Sequence, residues 1–178
     1  DFIKGRLVMD HFPNLPRSEQ KAILFELAKA GDEFSVPLLS YLVENNKAII
    51  FDFPTLPDTI ATKAVNSPKI IIDGLAGEGP EINYYLKLAG QLNIQAAVPN
   101  LIKQMLQNED KMIILAALSS LGSLGNPDAI NAITEFLYVE DFDLLEAAVA
   151  AMGQIATPTA ILRLSSKVGK DQKIDFQI

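Results

Sequence analysis

The side chains able to do chemistry are few, and their spacing decides what they could do. Carboxylates are paired at Glu109-Asp110 and Glu140-Asp141, with Asp143 close behind. Two such groups held together could bind a cation or divide acid and base roles. A calcium loop of the EF-hand kind needs alternating oxygen ligands, a glycine at the sharp turn and a distal glutamate, and that spacing is missing. Both pairs instead precede stretches of helical periodicity, where a carboxylate caps free backbone N–H groups. They read as helix caps and solubilising charge, with an acidic edge for a basic partner as the alternative.

The remaining candidates are weaker. His11 is the only histidine, so a metal site would need distant carboxylates, and no metal or other cofactor is expected. Gly74, Gly77 and Gly79 resemble a phosphate loop only until the next residues, Pro80-Glu81, are read. That pattern needs a Gly-Lys-Ser or Gly-Lys-Thr step after a strand, so the segment reads as a turn that starts a helix at Pro80. There is no cysteine, which removes thiolate chemistry and disulfides, and no serine has a histidine base within reach of its repeat. No catalytic residue is assigned and no enzyme is expected.

The elements that carry these residues repeat. Ala117–Ile130 set beside Ala148–Ile161 at a shift of 31 residues places Gly122 on Gly153, Leu124 on Ile155, Pro127 on Pro158, Ala129 on Ala160 and Ile133 on Leu164. An earlier unit joins at a shift of 32, with Gly90, Leu92, Ala97, Val98 and Leu101 falling on Gly122, Leu124, Ala129, Ile130 and Ile133. Further upstream, Ala28, Ser35, Val36, Pro37 and Leu39 fall on Gly90, Ala97, Val98, Pro99 and Leu101 at twice that period. Pro54, Pro57, Pro68 and the run Gly74–Gly79 spoil the pattern between them.

Each unit is expected to be two antiparallel helices. First helices are placed at about 17–30, 80–93, 111–124 and 142–155, and second helices at about 35–45, 96–107, 127–139 and 158–168. Asp110 and Asp141 should cap first helices, and Pro127 and Pro158 suit the first turn of second ones. A glycine inside a helix costs about 1 kcal/mol against alanine, so the Gly90, Gly122, Gly153 column implies that helices approach closely there. The fold class is therefore all-α, an α-solenoid of helix pairs in a single domain. It divides into a divergent first repeat (17–45), a degenerate unit (46–79), regular repeats (80–107, 110–139, 141–168) and a tail or linker (169–178). Residues 1–16 are expected to cap the first repeat, and Lys173–Ile178 alternates as a strand would.

Leu-Gly-Ser-Leu-Gly at 121–125, Met-Gly-Gln-Ile-Ala at 152–156 and the Ala-Ile pairs at 129–130 and 160–161 resemble HEAT repeats, in particular the short bacterial repeats related to those of phycobilisome lyases. The resemblance implies a protein-binding scaffold. It departs where the family carries Val-Arg, since Ile113-Ile114 and Leu144-Leu145 stand there; apolar packing is expected in place of an Asp–Arg ladder. HEAT-like iron hydroxylases need several His-Glu pairs that this chain lacks, and nothing points to a bilin pocket.

Composition narrows the partner. Of 178 residues 49% are hydrophobic, enough for a substantial core. Fifteen basic against 22 acidic residues leave a charge of −7, which disfavours a nucleic-acid backbone. No apolar run reaches the roughly 18 residues of a membrane span. The chain starts at Asp1 without a methionine, which reads as a processing or fragment boundary. The expectation is a non-catalytic cytoplasmic module that presents the concave face of its second helices to a protein. The alternative is a regulatory or tethering segment of a larger bacterial signalling protein. Register puts Tyr41, Lys103, Glu135 and Ser166 in one column, and Leu42, Gln104, Phe136 and Lys167 in the next. Tyr41, Lys103, Glu135, Phe136, Tyr138 and Ser166 are the expected partner-binding residues, because aromatic and charged side chains standing out of an apolar stripe are what interfaces use.

Overall fold

The computed structural model describes residues 2–167, whose regular structure is entirely helical. The strand-like Lys173–Ile178 segment and the 169–178 tail lie outside the described residues. Where length suggested one domain, the helices gather into two compact units, Asp1–Leu88 and a second from Ala89 onward.

In the first unit α1 (Phe2–His11) is followed by a 3-10 turn, then α2 (Arg17–Lys29), α3 (Asp32–Asn45), the single turn α4 (Ile49–Asp52), α5 (Leu56–Asn66) and α6 (Pro68–Ala76). Two of the three prolines that interrupt the repeat pattern open helices here: Pro57 lies in the first turn of α5 and Pro68 begins α6, where a missing N–H costs nothing. Helix α3 is the centre, packing against α1, α2, α4, α5 and α6. It buries Val36, Leu38, Leu39, Leu42 and Val43 together with Ser35 and Ser40, so it is surrounded rather than one-sided.

Helix α7 (Ile82–Gln91) runs out of the first unit into the second, which continues with α8 (Val98–Gln107), α9 (Lys111–Leu124), α10 (Ile130–Glu135), α11 (Phe142–Ile155) and α12 (Pro158–Ser165). Short 3-10 turns precede α8 and α10 and follow α10. Connections of a few residues return the chain, so neighbouring helices pair in antiparallel fashion. The expected caps are present. Asp110 accepts from the Met112 N–H at 2.8 Å, and Asp141 from Asp143 and Leu144 at 3.0 and 3.2 Å.

The repeat columns are physical layers. Ala97, Ala129 and Ala160 are all fully buried, and Leu101 and Ile133 likewise. Gly90 lies against Ser120 of α9, and Gly122 against Ala151 of α11; a Cβ added at Gly122 would sit 2.8 Å from the Ala151 Cα. The column thus lets each first helix approach the backbone of the next. A further column escaped the sequence reading: Asn93, Gly125 and Ala156, spaced by the repeat period, all have positive φ, at 53°, 62° and 48°. Each ends its helix in the left-handed conformation, and Ala156 does so with a methyl group that disfavours it.

The expected replacement of the Asp–Arg ladder by apolar packing alone needs correction. Lys111 Nζ, at the start of α9, reaches Asp141 Oδ2 at 2.8 Å and Asp143 Oδ2 at 2.7 Å. At the opposite end of the helices Asn126 donates to Gln95 Oε1 at 3.0 Å, and Gln95 donates to the Leu124 carbonyl at 2.8 Å. Polar links therefore join consecutive repeats at both ends of the apolar layer.

These contacts predict opposite signs along one column. Gly122→Ala should lower stability by about 1–3 kcal/mol, because the methyl meets backbone. Gly153→Ala, whose Cβ meets nothing within 4 Å, should raise it by up to about 1 kcal/mol, and Ala156→Gly by about 1 kcal/mol. Urea unfolding of dilute protein measures all three, and a common direction for the two glycine variants would contradict the packing described.

Candidate protein-binding surface

The second helices of the second unit place the expected residues unevenly. Lys103 on α8 and Glu135 at the end of α10 are exposed, as is Ser166, whose hydroxyl donates to the Arg163 carbonyl at 2.7 Å. Tyr138 is 66% exposed, and Lys167 Nζ stands over its ring, 2.9 Å from the centroid. A cation held on an aromatic face makes a broad platform with an apolar body and a charged edge. Phe136 behaves differently from the expectation: it is buried, as is Gln104 from the same column. Leu42, the first member of that column, is buried as well, so the column faces inward from Leu42 through Phe136. In the 3-10 turn Phe136–Tyr138 the first two side chains are buried and Tyr138 faces out.

Tyr41 belongs to a separate arrangement in the first unit. Its hydroxyl donates to Asp10 Oδ1 at 2.7 Å, and the Arg6 guanidinium lies 5.2 Å from its ring centre. The hydrogen bond to Asp10, with partial burial behind it, raises the Tyr41 pKa above the usual phenol value. Arg6 continues to Glu81, with Nη2 at 2.7 and 2.8 Å from the two carboxylate oxygens. Glu81 is buried, beside the buried Tyr85, whose pKa is raised by burial and then by the Glu81 charge. The acidic turn at 78–81 thus delivers a structural ion pair. Nothing in the sequence joins residues 75 positions apart, so this pairing was invisible there.

A second missed cluster fixes the start of α3. Lys63 of α5 donates to the Ala30 carbonyl at 2.8 Å and to Asp32 Oδ1 at 3.0 Å, and Ser67 donates to Asp32 Oδ2 at 3.0 Å. These two side-chain hydrogen bonds, Lys63 first, hold the Asp32 pKa below its ordinary value. Asp141 is lowered in the same way by Lys111, helped by the Leu144 N–H.

Among the clefts of the first unit, two differ in lining. One of about 670 Å³ is lined by Glu33, Ser67, Lys69, Asp73, Glu81 and Tyr85 among others; Lys69 is bound to Asp73 at 2.6 Å across its mouth. The other, about 370 Å³, is a nearly pure apolar groove between α1, α2 and α3. Neither sets a nucleophile against a base. Among the described residues, no cluster of His, Cys, Asp and Glu could hold a metal ion, and no helix is long and apolar enough to cross a membrane.

Helix pairs stacked in register, with buried alanine layers and exposed second-helix side chains, define an α-helical repeat protein. Residues 98–174 match the family model of HEAT repeats. Such repeats commonly mediate protein–protein interaction. No curated protein matches the chain.

The lowered carboxylates give a pH prediction. A group whose folded pKa is depressed supplies stability above its unfolded value, near 3.8 for Asp32 and Asp141, and loses it as pH falls through the lower folded value. Urea midpoints should hold from neutral pH toward 5 and drop below about 4. Asp32→Asn should cost about 1 kcal/mol at neutral pH and flatten that drop. A variant whose acid slope equals that of the wild type would remove Asp32 from the account.

Proposed function

We propose that this chain is a non-catalytic scaffold that presents the second-helix surface of its HEAT repeats to a protein partner in the cytoplasm. The observation that carries the reading is the Tyr138–Lys167 platform. A large aromatic side chain stands out of the core with a cation on its face, in line with Glu135 and, one repeat earlier, Lys103. Binding energy at protein interfaces concentrates in such aromatic and charged anchors. The net charge of −7 favours a partner with a basic face, and steering by that charge weakens as salt rises.

Tyr41 is left out of this surface. Its hydroxyl and ring are engaged by Asp10 and Arg6, so its contribution is to hold α1 on α3. Affinity capture from source extract with the wild-type chain should retain a defined protein. Tyr138→Ala combined with Lys103→Glu and Glu135→Lys should weaken its binding at least about tenfold, while Tyr41→Phe keeps it. Equal capture by the triple variant would place the binding surface elsewhere.

A further inference from the structure

A further cleft in the first unit, of about 230 Å³, differs in charge from the two described above. It opens between α2 and the start of α5. Lys21, Leu24, Phe25 and Ala28 line it from one face of α2, and the buried Leu39 and Leu56 form its apolar floor. Phe53 and Thr55 complete the wall on the α5 side. The larger clefts carry Glu26 in one case and Glu33, Asp73 and Glu81 in the other. This lining holds one ammonium group, that of Lys21, and no carboxylate. Among the described residues Lys21 has no ion-pair or hydrogen-bond partner, and the Thr55 hydroxyl makes no capping bond to α5. Both rings of the lining have a cation over them. Phe53 packs edge-on against Phe12, and Arg17, tied to the Asp52 carbonyl at 2.8 Å, lies 4.2 Å from its centroid. Lys29 Nζ lies 3.7 Å from the Phe25 centroid. The carboxylates beside these cations, Asp52 and Glu26, are well exposed and stand outside the lining, where ion pairs are weak.

We propose that this cleft receives one large apolar side chain of an acidic protein segment, whose flanking carboxylates meet Lys21 and the Thr55 hydroxyl. Volume decides between a side chain and a whole ligand. Small-molecule sites begin near about 300 Å³, so this one suits a single anchor. A ring or branched side chain meets leucine below and two phenylalanines at the sides, and walls already fixed by their own contacts need little ordering on binding. Charge selects the segment. The overall charge of −7 is screened beyond about 8 Å, whereas Lys21 lies in the lining itself, with Arg17 and Lys29 over its rings. A basic segment is repelled there and an acidic one is held. The site lies in the first unit and stands independently of the partner surface around Tyr138.

Fluorescence anisotropy of the labelled peptide Gly-Asp-Asp-Phe-Asp-Asp-Gly titrated with the whole chain reads this directly, and thermal melts by circular dichroism verify that each variant folds. Saturable binding that weakens as salt rises is expected. Replacing the phenylalanine of the peptide by alanine, or its aspartates by lysines, should raise Kd at least about tenfold. Ala28→Trp, which fills the cleft from an exposed position, should do the same, and Lys21→Glu should raise Kd at least about fivefold. Tyr138→Ala should bind as the wild type does. Equal binding of the lysine peptide overturns the proposal, as does binding indifferent to both Lys21→Glu and Ala28→Trp, or no saturable binding at all. Phenylpropionate that displaces the peptide at equal concentration would make the cleft a small-molecule site. Self-association of the chain that Ala28→Trp abolishes would assign the cleft to a second copy. Either result overturns the acidic segment as its occupant.

Discussion

In the second unit Gly90 and Gly122 hold their helices so near Ser120 and Ala151 that an added methyl group would lie 3.0 and 2.8 Å from the neighbouring Cα. That approach distance governs what can be built around it. With first helices this close, small side chains stand beside them in the second helices, where Ala97 and Ala129 are fully buried. Branched side chains at Val98, Leu101, Ile130 and Ile133 are buried with them. Close packing also fixes the lateral register. Lys111 can meet Asp141 and Asp143 at one end, and Asn126 can meet Gln95 at the other, only when neighbouring helices stand at the right height. The ion pair is partly exposed and adds little energy by itself. Its effect is to disfavour a slipped stack, in which those groups would lose their partners.

The first unit solves the same problem by other means. Helix α3 is enclosed by five neighbours, so no single helix-to-helix spacing can repeat. Position is set instead by side chains that reach far along the sequence. Arg6 on α1 grips Glu81 ahead of α7, and Lys63 on α5 grips Asp32 and the Ala30 carbonyl. Removing two charges from water is expensive, and the attraction between them roughly offsets that cost when hydrogen bonds complete the geometry. Such pairs select one arrangement among several compact ones more than they deepen it. Tyr41 of α3 lies against Arg6 and Tyr85 of α7 feels the Glu81 charge, which fits a role in holding that arrangement.

What could be read beforehand follows the same division. Alanine, glycine and aliphatic columns at a fixed period are local facts repeated in sequence, so α9 and α11 were legible to their terminal residues. The caps at Asp110 and Asp141 were legible for the same reason. Lys111 carries no such signal, because the cation that meets Asp141 comes from the preceding repeat instead of standing beside the aspartate. The Arg6–Glu81 and Lys63–Asp32 pairs join residues with no shared periodicity, and only folding brings them together. Phe136 shows a third kind of limit. Its column was assigned by repeat register together with Leu42 and Gln104, both of them buried on regular helices, and register alone does not say which columns face out.

The distribution of charge bears on how such a surface can recognise anything. The excess of acidic over basic residues suggests an anionic field, yet several of the carboxylates are already engaged. Asp110 caps α9, Asp141 caps α11 and holds Lys111 together with Asp143, Asp32 holds Lys63, and Glu81 holds Arg6. Charges engaged in this way project little potential beyond about one Debye length, roughly 8 Å at physiological salt. The acidic balance can therefore hasten an encounter with a basic partner without specifying it. Discrimination has to come from shape and from individual side chains that stand clear of the core. Tyr138 meets that condition, since its ring stands out at the end of a 3-10 turn with Lys167 over its face.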